Sequence, residues 1–192
     1  ADINCYDYRY TDSYDMVSPL IYAILNEKID FVRLILDNGA DVNLGVVQNI
    51  FYDDDEITPL TAAVQKNLDM TLLLLGRKAD PNYQMKDMSY TQSTPLMYAK
   101  EASTVNALVV FGAKVNQEVE GRTAVNVNQN PEAIKELVRL GADVNHVNPN
   151  GETGLHLAVR NENHNLAEAF IRAGADLNKK ESQYGETALH LA

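Results

Sequence analysis

Tyrosines and carboxylates are the residues of this chain whose spacing invites a chemical reading. Seven of the ten tyrosines fall in three stretches: Tyr6, Tyr8, Tyr10 and Tyr14 in residues 5–17, Tyr52 in 44–57, and Tyr83 and Tyr90 in 83–93. Acids stand among them. Asp7, Asp12 and Asp15 punctuate the first stretch, and Asp53, Asp54, Asp55 and Glu56 follow Phe51 and Tyr52 in the second. A tyrosine ring gives a large rigid contact surface with a polar tip, the composition favoured in recognition loops. Beside carboxylates it attracts a Lys- or Arg-bearing segment by Coulomb steering and cation–π contact. The sequence therefore predicts a protein-binding surface on Tyr6, Tyr8, Tyr10, Tyr14, Phe51, Tyr52, Asp53, Asp54, Asp55, Glu56, Tyr83 and Tyr90, with a basic or extended segment as partner. A competing structural reading makes Tyr6, Tyr8 and Tyr10 one face of a hairpin strand. In that reading Asp53 to Glu56 are charges facing a helix that starts at Thr58.

Other reactive residue types carry no chemistry of their own. His156 and His190 sit in the repeated string Thr-x-Leu-His, where a hydrogen-bonding role inside the fold is expected, and His146 and His164 complete no metal-ligand spacing with them. The run Asp53-Asp54-Asp55 lacks the alternating ligands and central glycine of a calcium loop. No nucleophile elbow, phosphate-binding glycine loop or spaced carboxylate pair occurs. The expectation is a non-enzyme with neither cofactor nor metal.

Charge sharpens this. The chain has 27 acidic side chains against 16 Lys plus Arg, a net charge of -11, which argues against binding nucleic acid through its phosphates. The imbalance is local: residues 1–60 hold 12 acids and three bases, so most of the excess accompanies the first two tyrosine stretches. A hydrophobic fraction of 45% is enough for a buried core. No apolar run reaches membrane-spanning length, and no insertion into a membrane by this stretch is expected. Cys5 is the single cysteine, which fits a reducing, intracellular compartment, cytoplasmic or nuclear.

The elements that would position these residues follow from two alternating strings. The first is Ser18-Pro-Leu, Thr58-Pro-Leu, Thr94-Pro-Leu, Thr123-Ala-Val, Thr153-Gly-Leu and Thr187-Ala-Leu. The second is Ala1-Asp-Ile-Asn, Gly39-Ala-Asp-Val-Asn, Lys78-Ala-Asp-Pro-Asn, Gly112-Ala-Lys-Val-Asn, Gly141-Ala-Asp-Val-Asn and Gly174-Ala-Asp-Leu-Asn. A Ser or Thr hydroxyl before Pro caps free N–H groups at a helix start. The Gly of the second string ends a second helix in the left-handed region. Lys78 takes that place in one unit, at a cost of about 1 kcal/mol. Asn130-Pro131 marks the start of a second helix, with Glu132 in its first turn. Helical apolar spacing runs between the strings, as in Phe31, Leu34 and Ile35 or Ile134, Leu137 and Leu140.

These strings resemble the ankyrin repeat family, most fully in Thr153-Gly-Leu-His-Leu-Ala, Thr187-Ala-Leu-His-Leu-Ala and Gly174-Ala-Asp-Leu-Asn. The resemblance covers essentially the whole chain. It implies an all-α solenoid of stacked helix-turn-helix units with β-hairpin fingers, built to recognise proteins through fingers and first helices on a concave face. Residues 1–192 are then a single array. Residues 1–17 are the tail of a preceding unit plus a long finger, repeats cover 18–57, 58–93, 94–122, 123–152 and 153–186, and 187–192 begin a further unit. Such ends are expected of a fragment of a longer array, or of ends that rest on another chain. The finger asparagines Asn43, Asn82, Asn116, Asn145 and Asn178 are expected to fix turns through side-chain to backbone hydrogen bonds, and the resemblance also implies that such asparagines can be hydroxylated where a leucine stands eight positions earlier, which Asn82, Asn116 and Asn145 satisfy.

Departures from the regular repeat are informative. From the Ser/Thr start to the final Asn, units 18–43 and 153–178 have 26 residues, 58–82 has 25, and 94–116 and 123–145 have only 23. The shortening is expected at the corner between helices. Thr123-Ala-Val-Asn-Val-Asn is polar where Ala and Leu are usual, so its helix should be short and loosely packed. Fingers vary the other way: 13, 14 and 11 residues for 5–17, 44–57 and 83–93, then 6, 7 and 8 for 117–122, 146–152 and 179–186. Long loops on a rigid scaffold are where binding residues concentrate. Tyr22 and Tyr98 match in helix position; they either point to the concave face or, the favoured expectation, pack at the helix contact. The alternatives to a partner-binding module are a structural scaffold stretch of a larger protein (a channel, a toxin or a host-targeting effector) and a methyl-lysine-binding array.

Overall fold

The computed structural model describes residues 3–4, 18–48, 55–86 and 92–192. Five helix pairs follow one another. The first helices are α1 (Pro19–Leu25), α3 (Pro59–Lys66), α5 (Pro95–Tyr98), α7 (Ala124–Val127) and α9 (Gly154–Arg160). Their partners are α2 (Ile29–Asp37), α4 (Leu68–Gly76), α6 (Ala102–Val110), α8 (Pro131–Arg139) and α10 (His164–Arg172). The Ser and Thr starts sit where the strings place them. Ser18 Oγ accepts from the N–H of Ile21 at 3.3 Å, and Thr58 Oγ1 accepts from Thr61 at 3.1 Å. Asn67, Asn130 and Asn163 cap second helices in the same way. Each such cap stabilises a helix by about 1 kcal/mol.

The helix ends are equally local. Gly39, Gly112, Gly141 and Gly174 all have φ between +88° and +100°, and Lys78 joins them at +66°. In every case the following alanine donates to a carbonyl five residues back, as Ala40 does to Ile35 and Ala113 to Leu108, which satisfies carbonyls the helix leaves open.

Two compact units divide the chain, residues 1–95 and 96–192. In the first, α1 packs on α2 and α3, and α3 on α4. Its core is Leu20, Ile21, Ile24, Val32, Leu60, Val64, Met70, Leu74 and Leu75. In the second, α6 packs on α8, α8 on α10, and α9 on α7 and α10. Val105, Leu108, Ile134, Leu137, Leu155, Leu166 and Phe170 form its core.

The shortened units depart from expectation in an instructive way. All five second helices have nine residues, whereas the first helices have seven, eight, four, four and seven. The missing residues come out of the first helix, not out of the corner. The short α7 is also well packed rather than loose: Ala124, Val125, Asn126 and Asn128 are all buried. Its polar positions are met only in part, Asn126 Nδ2 being buried with no hydrogen-bond partner among the described residues. Asn126 Oδ1 accepts from the N–H of Thr123 at 2.9 Å, closing the first turn from inside. Asn128 Nδ2 donates to the carbonyl of Ala99 at 2.7 Å, satisfying a backbone group just past the end of the equally short α5.

Candidate interaction surface

Fingers are of two kinds. In residues 18–95 the two described fingers are hairpins. β1 (Val46–Gln48) pairs antiparallel with β2 (Asp55–Ile57) in the register Val46↔Ile57, Val47↔Glu56 and Gln48↔Asp55. β3 (Met85–Lys86) pairs with β4 (Gln92–Ser93), and β2 packs beside β3. In residues 96–192 the fingers are tight turns. Glu120 and Gly121 both have positive φ, +52° and +73°, the combination of a type I′ turn, and Val119 bridges Arg122 across it.

The predicted surface residues divide by what the structure describes. Tyr6, Tyr8, Tyr10, Tyr14, Phe51, Tyr52, Asp53, Asp54 and Tyr90 lie outside the described residues. Asp55 and Glu56 are the first two positions of β2, so the acidic run leads directly into a paired strand and then into the cap residue Thr58. Tyr83 is half-buried at the base of the third finger, its N–H donating to the carbonyl of Asp80 at 3.4 Å.

Tyr22 was expected to pack at a helix contact, and it does not: it stands 52% exposed on α1 while Ile21 and Ala23 on either side are buried. Tyr98 is half-buried. The sequence signal available was the helical phase, since Leu20, Ile21 and Ile24 already complete one apolar face and leave Tyr22 outside it.

The finger asparagines act differently from expectation. Four turns are fixed by the aspartate two positions earlier, a place Lys114 takes before Asn116: Asp41, Asp80, Asp143 and Asp176 accept at 2.9 Å from the N–H of Asn43, Asn82, Asn145 and Asn178. The asparagine side chains instead reach the next unit. Asn4 Oδ1 accepts from Asp41 N–H, Asn43 from Asp80, and Asn116 from Asp143, each at 2.9 Å, and Asn145 accepts from Asp176 at 2.7 Å. Asn116 Nδ2 also donates to the carbonyl of Gly141 at 2.9 Å. Of the three candidate modification sites, Asn116 is exposed, and Asn82 and Asn145 are half-buried.

The histidines are held by backbone. The N–H of Thr153 donates to His156 Nδ1 at 3.2 Å, which leaves the ring proton on Nε2, 3.3 Å from the carbonyl of Glu186. His190 repeats the first half of this arrangement with Thr187. His146 Nε2 lies 3.3 Å from the carbonyl of Gly121 and 3.8 Å from Glu118. Among the described residues no three His, Cys, Asp or Glu side chains are grouped to hold a metal ion, and no helix is long and apolar enough to cross a membrane.

Comparison with known proteins fits this geometry. The family described as "Ankyrin repeats (3 copies)" matches residues 2–87 and 122–192. Alpha-latrocrustotoxin-Lt1a of Latrodectus tredecimguttatus is 28% identical over 187 residues, covering 86% of this chain and 13% of the toxin. Inversin of Canis lupus familiaris is 28% identical over 191 residues, 91% of this chain and 17% of inversin. The chain thus spans less than a fifth of the length of either relative. The crystal structure of the human ASB11 ankyrin repeat domain superposes with a TM-score of 0.77 at 26% identity, covering all of this chain and 81% of that domain.

Proposed function

Since this chain belongs to the ankyrin repeat family, whose arrays are in general protein–protein interaction modules and typically non-catalytic, we propose that it binds a basic or extended protein segment through the long fingers of residues 1–95. The observation that carries this reading is the coincidence of three features in one stretch of sequence. The three longest fingers, seven of the ten tyrosines and most of the excess negative charge all fall within residues 1–93. The two described hairpins there lie side by side, β2 against β3. Exposed Tyr22 adds an aromatic ring on the first helix of the same unit. On this reading the array works inside the cell, in cytoplasm or nucleus, consistent with its single cysteine.

A lysine- and arginine-rich peptide library, with a matched acidic library as reference, tests the proposal. Basic peptides should be retained at low ionic strength and released as salt rises. Reversing Asp53, Asp54, Asp55 and Glu56 to lysine should weaken retention about tenfold or more. Unchanged affinity in that variant rejects the acidic fingers as the binding surface.

A further inference from the structure

We propose that Glu181 is an acid-sensitive latch: its carboxylate holds finger 179–186 closed, and its protonation releases that finger and its tie to α9. The side chain is folded back into its own turn and is only 4% exposed. Three backbone N–H groups converge on it. Gln183 donates to Oε2 at 2.6 Å, and Tyr184 and Glu186 donate to Oε1 at 2.7 and 3.1 Å. The backbone of Glu181 closes the same loop, its N–H donating to the carbonyl of Glu186 at 2.9 Å. That carbonyl is also the acceptor for His156 Nε2 on α9. One carboxylate therefore organises a turn whose far end is hydrogen-bonded to the neighbouring helix.

The preceding finger supplies a built-in control, because it closes on an amide. Asn148 Oδ1 accepts from the N–H groups of Asn150 and Glu152 at 3.0 and 2.9 Å, and Asn148 N–H donates to the carbonyl of Glu152 at 2.9 Å. The two loops share one hydrogen-bond plan, but in the later one the carboxylate itself accepts the backbone N–H groups, whereas in the earlier one the Glu152 carboxylate only accepts from Asn148 Nδ2 at 3.0 Å. A carboxylate accepts such bonds more strongly than an amide, and it loses an acceptor on protonation.

Burial of the Glu181 carboxyl works to raise its pKa. The N–H groups of Glu186, Tyr184, Gln183 and Gly185 outweigh that and hold it below the ordinary glutamate value. The ionised form is thus favoured in the folded finger. Its contribution is complete at neutral pH and is lost as pH falls through the lowered pKa. Other charged and titratable groups face the loop. Lys179, Lys180, Tyr184 and Glu186 stand on the finger itself. His156 stands on α9 and His190 in the following turn. The preceding finger, joined by the Ser182 N–H to Asn150 carbonyl bond, brings His146 and Glu152, the latter paired with Arg160.

Residue-resolved amide exchange of the 192-residue chain, from pH 7 to pH 3, reads the latch. Correcting for intrinsic exchange, the amides of Gln183, Tyr184 and Glu186 should lose protection together, by about tenfold, while Asn150, Glu152 and α8 keep theirs. Glu181→Gln should remove that step and leave the pH response of finger 146–152 unchanged. A Glu152→Gln variant should retain it. The proposal is overturned if Glu181→Gln keeps the same acid step, if the step vanishes in Glu152→Gln, or if α8 opens at the same pH.

Discussion

Fingers in residues 1–95 and fingers in residues 96–192 follow the same string, Asp-x-Asn in all but Lys114-Val-Asn116, and then diverge. In the later region they are spent on each other. Gly121 faces Pro149 so closely that a Cβ would stand 2.6 Å from its Cγ, and Gly151 faces Ser182, where a Cβ would meet Oγ. The Ser182 N–H donates to the carbonyl of Asn150 at 3.1 Å, so backbone joins backbone. In the earlier region the chain runs on beyond its paired strands, through residues 49–54 and 87–91, and that added length is where tyrosine and acid accumulate. The difference teaches that one scaffold can use its fingers as mortar or as reach. Closing a turn on glycine brings neighbours into contact, while added loop length costs little entropy and leaves room for binding residues.

The sharpest test of the mortar side lies at Gly154. First helices of the earlier region begin on Pro19 and Pro59, whereas α9 begins on a glycine. The Phe170 ring occupies the space: a Cβ at Gly154 would fall 2.2 Å from its Cζ. Gly154→Ala should destabilise by about 3 kcal/mol, read as a lower urea midpoint at constant slope, and Phe170→Leu in the same chain should recover part of it. An unchanged midpoint would mean that α9 and α10 are not packed through this pair.

A smaller effect separates a helix-end glycine from a finger glycine. Gly39 and Gly151 both have positive φ, +89° and +73°, but a Cβ at Gly39 meets nothing within 4 Å. Gly39→Ala should cost about 1 kcal/mol, the left-handed penalty alone. Gly151→Ala should cost about 2 kcal/mol, because Ser182 must also move. Equal losses in thermal unfolding would break the comparison, since finger-to-finger contact would then contribute nothing. The smallest expected change is a gain. Lys78→Gly should stabilise the earlier region by up to about 1 kcal/mol, because Lys78 holds φ +66° where the other four units use glycine.

Much of this architecture is legible in sequence, and for a local reason. Ser18, Thr58 and Asn130 cap helices through bonds spanning two or three residues, and Gly39 or Lys78 ends them through φ at one residue. Such chemistry is complete within a short window, so the string alone specifies it. The ankyrin reading, the five helix pairs and the anomalous Lys78 all follow from windows of that size.

Site-level expectations were legible only as far as composition reaches. The clustering of tyrosine and acid in long fingers is a property of the string. The partner of each side chain is not. Tyr22 looked like a packing residue because Tyr98 matches it in helix position, yet the apolar face of α1 is complete without it. The finger asparagines looked like turn-formers because asparagine generally is one, and the aspartate two residues earlier already does that work.

Residue types and spacing thus determined by themselves where helices begin, where they end, and which loops are long. Only the tertiary structure decided that three missing residues come out of a first helix, that Asn126 and Asn128 are buried, and that Asn43, Asn116 and Asn145 bond to the next unit. Those outcomes depend on groups 27 to 37 residues away, or on which helix face a neighbour covers. Hydrogen-bond partners at that range are chosen by stacking, and no local window contains them.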